Sequence, residues 1–328
     1  MAQKLRIAIA GYGNLGRGVE AALAQNPDMQ LVAVFSRRDP ASVTLLDVKV
    51  PVYAMADIDQ HQDSVDVMIL CGGSKTDLPE QGPHLAQFFN TVDSFDTHAK
   101  VNDYYAALDK SARKSGYVAM LSGGWDPGLF SLNRLFGEAI LPEGDTYTFW
   151  GKGLSQGHSD AVRRVPGVKR GVQYTLPSDD AIARVRSGER PVLSTREKHT
   201  RECYVVLEDG VDAEVVRNCI VTMPDYFADF DTQVHFIDEA RFDRDHSSMP
   251  HGGFVIRSGT TGAGSRQTVE YSLALGSNPE FTASVLVAYA RAVYRLAAAG
   301  ETGARTVFDI APGLLSPKDP AQLRKELL

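Results

Sequence analysis

Asp93 and Asp96, in Thr91-Val-Asp-Ser-Phe-Asp-Thr-His98, and Trp125 and Asp126, in Ser122-Gly-Gly-Trp-Asp-Pro-Gly128, stand where chemistry is easiest to place. Each segment follows a short apolar run that reads as a strand, so both are expected at the carboxyl edge of one sheet. Carboxylates held there can grip an ammonium group or take its proton, and an indole can wall the site. Singly, each Asp has an ordinary role as a turn residue or helix cap before Pro-Gly. Jointly, at strand ends, they point to a site. A second group, Gly153-Leu-Ser155-Gln-Gly157 followed by His158, matches the GxSxG turn of α/β-hydrolases, and Pro250-His251-Gly-Gly253 has a weak likeness to an oxyanion-hole segment. Order argues against a serine nucleophile, because that segment should precede the serine. Thr175, Arg201 and His251 are scattered over the second half, each with a plain alternative as strand residue, solvated charge or loop histidine. Arg163, Arg164, Lys169 and Arg170 form a basic cluster expected at the surface.

The element that must position any such site opens the chain. Leu5-Arg-Ile-Ala-Ile-Ala10 reads as a buried strand, Gly11-x-Gly13-x-x-Gly16 as a tight turn, and Arg17 to Gln25 as a helix with Val19, Ala22 and Leu23 on one face. Strand, glycine turn and helix in that order form the dinucleotide-binding fingerprint. Glycine permits the turn, the approach of backbone to a pyrophosphate, and close packing of helix on strand, while the helix N-terminus offers free N–H groups to phosphate. The next strand, Gln30 to Phe35, ends in Ser36-Arg37-Arg38 rather than in an acid. An acid there would bind ribose hydroxyls; a hydroxyl and two guanidinium forks suit the 2′-phosphate of NADP. NADP is therefore the expected cofactor, and the hydrolase alternative leaves this whole region unexplained.

With 328 residues the chain is long enough for two domains, and 43% hydrophobic and 23% charged residues are ordinary for a globular protein. A net charge of −7 argues against a general nucleic-acid or anionic-membrane binder. Cys71, Cys203 and Cys219 form no CxxC, which fits a reducing cytoplasm; no metal-ligand spacing and no signal peptide are evident. Val50 to Tyr53 suggests an edge strand, Val65 to Leu70 a buried strand ending in Cys71-Gly-Gly-Ser74, Pro83 to Phe89 a helix, Asn102 to Ser115 a helix with Tyr105, Leu108 and Ala112 inward, and Gly116 to Leu121 a further strand. A helix bearing Leu129, Leu132, Leu135 and Phe136 follows. This alternation implies an α/β fold with a Rossmann-type doubly wound parallel sheet over residues 1–122. Beyond about 145 the runs 146–150, 171–176, 202–207, 231–237, 253–257 and 267–273 read as strands with few helices between, giving a second α+β domain over 123–278 with a mostly antiparallel sheet. Asp243 to Gly264 reads as loop. Phe281 to Ala299 reads as a helix, with Pro279 its first residue and Asn278 its cap, returning the chain (about 279–328) to the nucleotide domain.

With Gly11-Tyr-Gly-Asn-Leu-Gly-Arg17, Phe35-Ser-Arg-Arg38, Gly124-Trp-Asp-Pro-Gly128, Phe149-Trp-Gly151, Gly153-Leu-Ser-Gln-Gly-His-Ser-Asp160, Gln173-Tyr-Thr-Leu-Pro177, Met223-Pro-Asp-Tyr-Phe227, Met249-Pro-His-Gly-Gly253 and Asn278-Pro-Glu-Phe281 in place, the chain resembles the meso-diaminopimelate dehydrogenases over nearly its full length. The Gly153–Asp160 and Met249–Gly253 blocks are far more specific than the glycine turn. The resemblance implies NADP-dependent oxidative deamination of the D-centre of meso-2,6-diaminopimelate to L-2-amino-6-oxopimelate and ammonia, in a cytoplasmic homodimer that uses the second domain to bind substrate and dimerise. It also implies site residues. Tyr12, Asn14 and Leu15 beside Gly11, Gly13 and Gly16; Ser36, Arg37 and Arg38; Cys71, Gly72, Gly73 and Ser74; Ser94, Phe95 and Asp96; and Gly123, Gly124, Trp125, Asp126 and Pro127 would meet the cofactor. Asp96, Asp126 and Trp150 would surround the reacting centre, near Trp125, Gln156 and Gly157, with Asp96 and Asp126 catalytic. Thr175, Arg201, His251 and Asn278 would bind the distant L-amino-acid end. The alternatives on the same fold are an NADP-sensing regulator or another amino- or imino-acid oxidoreductase.

Overall fold

A computed structural model describes residues 4–328, which divide into two compact units, one of 4–132 with 279–328 and one of 133–278. The first unit contains β1 (Leu5–Ala10), α1 (Asn14–Ala24), β2 (Met29–Ser36), β3 (Val52–Ala54), β4 (Val67–Leu70), α2 (Leu78–Leu85), β5 (Thr91–Asp93), α3 (Val101–Ser115), β6 (Val118–Met120) and the start of α4 (Leu129–Ile140). Among the described residues a seven-stranded sheet runs β14-β6-β5-β4-β1-β2-β3, every neighbouring pair parallel. Its far edge, β14 (Gly303–Arg305), comes from the end of the chain.

Strand alternation explains the two layers. Ile7 and Ile9 of β1 face one core with Val19 of α1 and Leu286, Tyr289 and Val293 of the long helix α10 (Asn278–Ala298). Ala8 and Ala10 face the other, with Leu85 of α2 and Tyr104, Leu108 and Ala112 of α3. Both faces are thus covered, which is why β4 and β6 are apolar and buried at every position. Tyr104, not Tyr105, is the buried tyrosine: it holds the four-residue step to Leu108 and Ala112. The helix expected over Pro83–Phe89 lies earlier, with Pro83 inside it; Pro79 occupies the first turn, where proline is tolerated, and the Asp77 N–H closes a turn onto the Gly73 carbonyl.

The second unit holds two sheets among the described residues. β7 (Gly144–Trp150), β12 (His251–Thr261) and β13 (Ser265–Leu275) make an antiparallel sheet. β8 (Gly153–Leu154), β9 (Val168–Pro177), β10 (His199–Leu207) and β11 (Asp231–Phe236) make the other, antiparallel except for β10 with β11. The reading of few helices here is corrected: α5 (Gln156–Arg163), α6 (Asp179–Arg186), α7 (Thr195–Lys198), α8 (Ala213–Val221) and α9 (Glu239–Asp245) lie between the strands. Each is announced by a capping side chain, in turn Ser155, Ser178, Ser194, Asp212 and Asp238, that accepts a backbone N–H of the first turn. The stretch 243–264 is mostly not loop, because β12 is paired on both sides and its glycines let neighbouring backbone pass close. A Cβ at Gly253 would lie 2.2 Å from the Phe149 carbonyl oxygen. The chain closes with α11 (Pro320–Leu327).

Candidate active site

In the first unit the expected cofactor residues line up along the carboxyl edge of the sheet. Gly11 takes φ +97, and its N–H bonds the Phe35 carbonyl at the end of β2. A Cβ at Gly16 would sit 2.4 Å from the Gly11 carbonyl oxygen, so only glycine lets α1 start this close to the turn. Gly13 precedes α1 with no side-chain cap hydrogen bond, and the helix starts at the wall of the cleft with its N-terminus toward it. From the other strands, Arg38 Nη2 donates to the Tyr12 carbonyl at 2.5 Å, Ser36 Oγ accepts the Arg38 N–H at 3.0 Å, and the Asp96 N–H donates to Ser74 Oγ at 2.8 Å. A cleft of about 940 Å³ opens here, lined by Gly11, Tyr12, Gly13, Asn14, Arg17, Arg37, Arg38, Cys71 and Gly72 among others. Its glycine cradle, bare helix terminus and arginines fit a phosphate-bearing dinucleotide. Phe95 is corrected as a cofactor contact: the residue is 1% exposed, its ring stacks on Tyr104 at 4.1 Å, its N–H donates to Asp93 and its carbonyl accepts the Ser122 hydroxyl, so it supports the loop from within. The ring of Tyr12 is likewise buried, its hydroxyl donating to Glu20.

The loops carrying Asp96 and Asp126 are tied together from below by Asp93. Its buried carboxylate accepts the Phe95 N–H at 2.9 Å, the Ser122 N–H at 3.3 Å and the Tyr104 hydroxyl at 2.6 Å. Burial pushes its carboxyl up to about 6. Asp93 is therefore a support for the site, not a member of it. Gly123 N–H adds a bond to the Asp93 carbonyl, and the turn from Gly124 to Gly128 is so tight that a Cβ at Gly128 would fall 1.6 Å from the Gly124 carbonyl oxygen. Trp125 is buried on that turn with its ring edge-on to Phe130, while Asp126 is half-buried and Asp96 exposed.

In the second unit, register assembles the other expected residues. Thr175 of β9 pairs with Gly153 on one side and Arg201 of β10 on the other, and Trp150 pairs with Gly253. Arg201 donates to the Thr175 hydroxyl and lies 3.9 Å over the ring of Phe230. It is 8% exposed, and burial lowers its guanidinium to about 10, still charged at neutral pH. Its Nε has no hydrogen-bond partner. The His251 ring packs flat on Gly153, where a Cβ would come within 2.4 Å of it, which explains that glycine. Gln156 and Gly157 begin α5 and are exposed, with Gln156 Nε2 3.5 Å from Met249 Sδ; the Asn278 N–H donates to the Met249 carbonyl at 2.9 Å. Ser155, the hydrolase candidate, is the cap of α5, and its Oγ lies 2.9 Å from His158 Nδ1 within the same turn. Of the basic cluster, Arg163 pairs with Asp160, Lys169 with Glu239 and Arg170 with Asp243, a local surface arrangement.

Residues that sequence inspection missed are the supports. His199 is 2% exposed, accepts the Trp150 N–H through Nε2 at 2.9 Å and stacks on the indole at 5.3 Å. Phe230 lies under Arg201, and Gln173 donates to the Thr175 hydroxyl at 3.4 Å. The only trace of these in sequence is alternation: His199 and Arg201, like Gln173 and Thr175, share a strand face.

Residues 124–277 match the model of the diaminopimelic acid dehydrogenase C-terminal domain. The chain is 66% identical, over 99% of both chains, to a meso-diaminopimelate D-dehydrogenase of Lysinibacillus sphaericus. Among solved structures it is similar to a six-site mutant of meso-dapdh from Clostridium tetani E88 with DAP, at TM-score 0.94 and 54% identity, covering 99% of this chain and 100% of that one. It is also similar to an engineered D-amino acid dehydrogenase bound to NADP+, at TM-score 0.87 and 48% identity, covering 99% of this chain and 100% of that one. A buried cationic subsite, a phosphate cradle and near-full-length identity converge: the chain belongs to the meso-diaminopimelate D-dehydrogenase family and is a dehydrogenase built on a Rossmann-type sheet.

Proposed function

We propose that this dehydrogenase oxidatively deaminates the D-centre of meso-2,6-diaminopimelate with NADP, giving L-2-amino-6-oxopimelate and ammonia. The observation that carries the proposal is Arg201: a buried cation with a hydroxyl and an aromatic face for company and an unpartnered Nε. Such a group is costly until an anion arrives, so it suits the distant carboxylate of a double-headed amino acid. Support comes from the Clostridium tetani variant with DAP. Its substituted residues are a Gln, a Thr, an Arg, a Pro, a His and an Asn, and the same types occur here at the same intervals as Gln156, Thr175, Arg201, Pro250, His251 and Asn278. That correspondence adds Pro250 to the set.

Thr175, Arg201, His251 and Asn278 hold the L-end. Trp150, Gln156 and Gly157 confine the reacting end, with Trp125. Asp96 and Asp126 bind the ammonium at the D-centre, and one of these carboxylates or a water takes its proton, because a cationic amine resists becoming an iminium. NADP, when bound along Gly11–Gly16, Ser36–Arg38, Cys71–Ser74, Ser94–Asp96 and Gly123–Pro127, accepts the hydride. Water then adds to the resulting imine and ammonia leaves. Holding both ends selects one carbon of a nearly symmetric molecule. We further place residues 123–278 in substrate binding and dimerisation, and the chain in the cytoplasm as a homodimer; free Cys71, Cys203 and Cys219, and the lack among the described residues of any helix long and apolar enough to cross a membrane, are compatible with that.

Absorbance at the reduced-nicotinamide band tests the reading. The meso isomer should reduce NADP rapidly, the LL and DD isomers far more slowly, and NAD should substitute poorly. No turnover of the meso isomer would overturn the proposed reaction.

A further inference from the structure

The arginines expected to take the 2′-phosphate already have partners within the protein. Arg37 presents both terminal nitrogens to one carboxylate, Nη1 to Asp77 Oδ1 at 2.8 Å and Nη2 to Asp77 Oδ2 at 3.2 Å. The same Oδ2 accepts the Gly73 N–H at 2.8 Å. Asp77 therefore holds a guanidinium fork and a backbone N–H of a glycine turn with two oxygens, the donor set a phosphate would choose. Arg37 and Asp77 both line the cleft that holds Gly11, Gly13 and Arg38. Their exposures differ: the Arg37 side chain is 72% exposed, whereas that of Asp77 is 18%. The carboxylate is thus the fixed member and the guanidinium the one that can swing. The other charged groups lining this cleft are Arg17, Arg38 and Glu80, with His84 titratable beside them.

We infer that Asp77 is an internal counter-anion of the 2′-phosphate subsite, a specificity-determining residue that competes with the cofactor for Arg37. A dianionic phosphate entering beside Arg38 must draw the Arg37 fork off Asp77 or share it, and meets the Asp77 charge in doing so. NADP binding is held weaker than two free arginines would make it, and exchange of oxidised for reduced cofactor is correspondingly faster. NAD has no 2′-phosphate, so its binding is blind to this competition. The inference rests on NADP as the cofactor of this cleft.

Fluorescence titration of the full-length protein with NADPH and NADH, with stopped-flow dissociation of NADPH, tests it. Asp77→Asn keeps the size and can still accept the Gly73 N–H, but removes the charge. It should tighten NADPH roughly 3- to 30-fold, mostly through slower dissociation, and leave NADH within about twofold. Asp77→Ser, which also removes the charge, should give the same pattern as Asp77→Asn: tighter NADPH, with NADH within about twofold. Weaker or unchanged NADPH binding, or equal changes for NADPH and NADH, would overturn the role of Asp77 and leave the cofactor reading intact. A wild-type protein that binds NADH as tightly as NADPH would instead remove the cofactor reading itself.

Discussion

Arg201 and Gly153 show how much one residue can decide. Arg201 keeps its charge in a buried position because the ring of Phe230 and the Thr175 hydroxyl partly replace water. Replacing it by Met keeps the volume and removes the fork. Arg201→Met should raise KM for the meso compound by roughly 10- to 100-fold, the worth of a charge-assisted hydrogen bond, with a smaller change in kcat, and relax the need for a second amino-acid head. Kinetics like the wild type would take Arg201 out of substrate binding. Gly153 is the reverse case, a residue required for what it lacks. Any Cβ there meets the His251 ring at 2.4 Å, so Gly153→Ala must displace that ring. The substitution is expected to raise KM and to cost about 1–3 kcal/mol of stability as the ring is pushed aside; an unaltered KM would show that His251 need not stay where it is.

At the scale of elements, β5 and β6 end in loops that carry Asp96 and Asp126, and the Asp93 carboxylate joins the two loops to α3 through Tyr104. Asp93→Ala would strand two buried N–H groups and a hydroxyl, and should cost about 3–5 kcal/mol of stability, visible as a large fall in Tm. Tyr104→Phe, which removes one donor, should cost only about 1–2 kcal/mol. Equal costs for the two variants would mean that the loops do not depend on the carboxylate. Much of this level could be read in advance. The strand–turn–helix at Leu5 to Ala24 and the returning helix α10 follow from periodicity and from glycine and proline placement. The short helices of the second unit were hidden, since runs of four to nine residues hardly establish a period, although their Ser and Asp caps were in plain view. Tyr104 against Tyr105 was undecidable locally, because adjacent positions on a helix both lie near the apolar stripe and only the partner Asp93 chooses between them.

Across the whole molecule the buried titratable groups set an acid limit. Burial, with Arg201 nearby, lowers both His158 and His199 to about 4. Unfolded, they would titrate at about 6.5. Between those values the unfolded chain binds more protons, so stability is complete above about pH 6.5 and declines as pH falls through that window toward 4. Asp93, raised to about 6, acts in the opposite sense: the folded chain protonates it first, so the cost of its buried charge is relieved below pH 6. Two groups outweigh one, and Tm should be lower at pH 5 than at pH 7.5. A His158→Gln/His199→Gln variant should show a smaller fall between these two conditions; an equal fall would assign the acid lability to other groups.

Sequence alone determined what depends on neighbours along the chain: the glycine turn, the absence of an acid after β2, the order of strands and helices, and the residue types able to meet phosphate, ammonium and carboxylate. Tertiary structure decided what depends on which strand lies beside which. Register put Arg201 opposite Thr175 and the His251 ring on Gly153. Packing set His199 under Trp150 and brought Asp77 to Arg37 across the sheet edge. Those pairings join residues distant in sequence, and no local pattern encodes them, because each is fixed only when the whole sheet has closed.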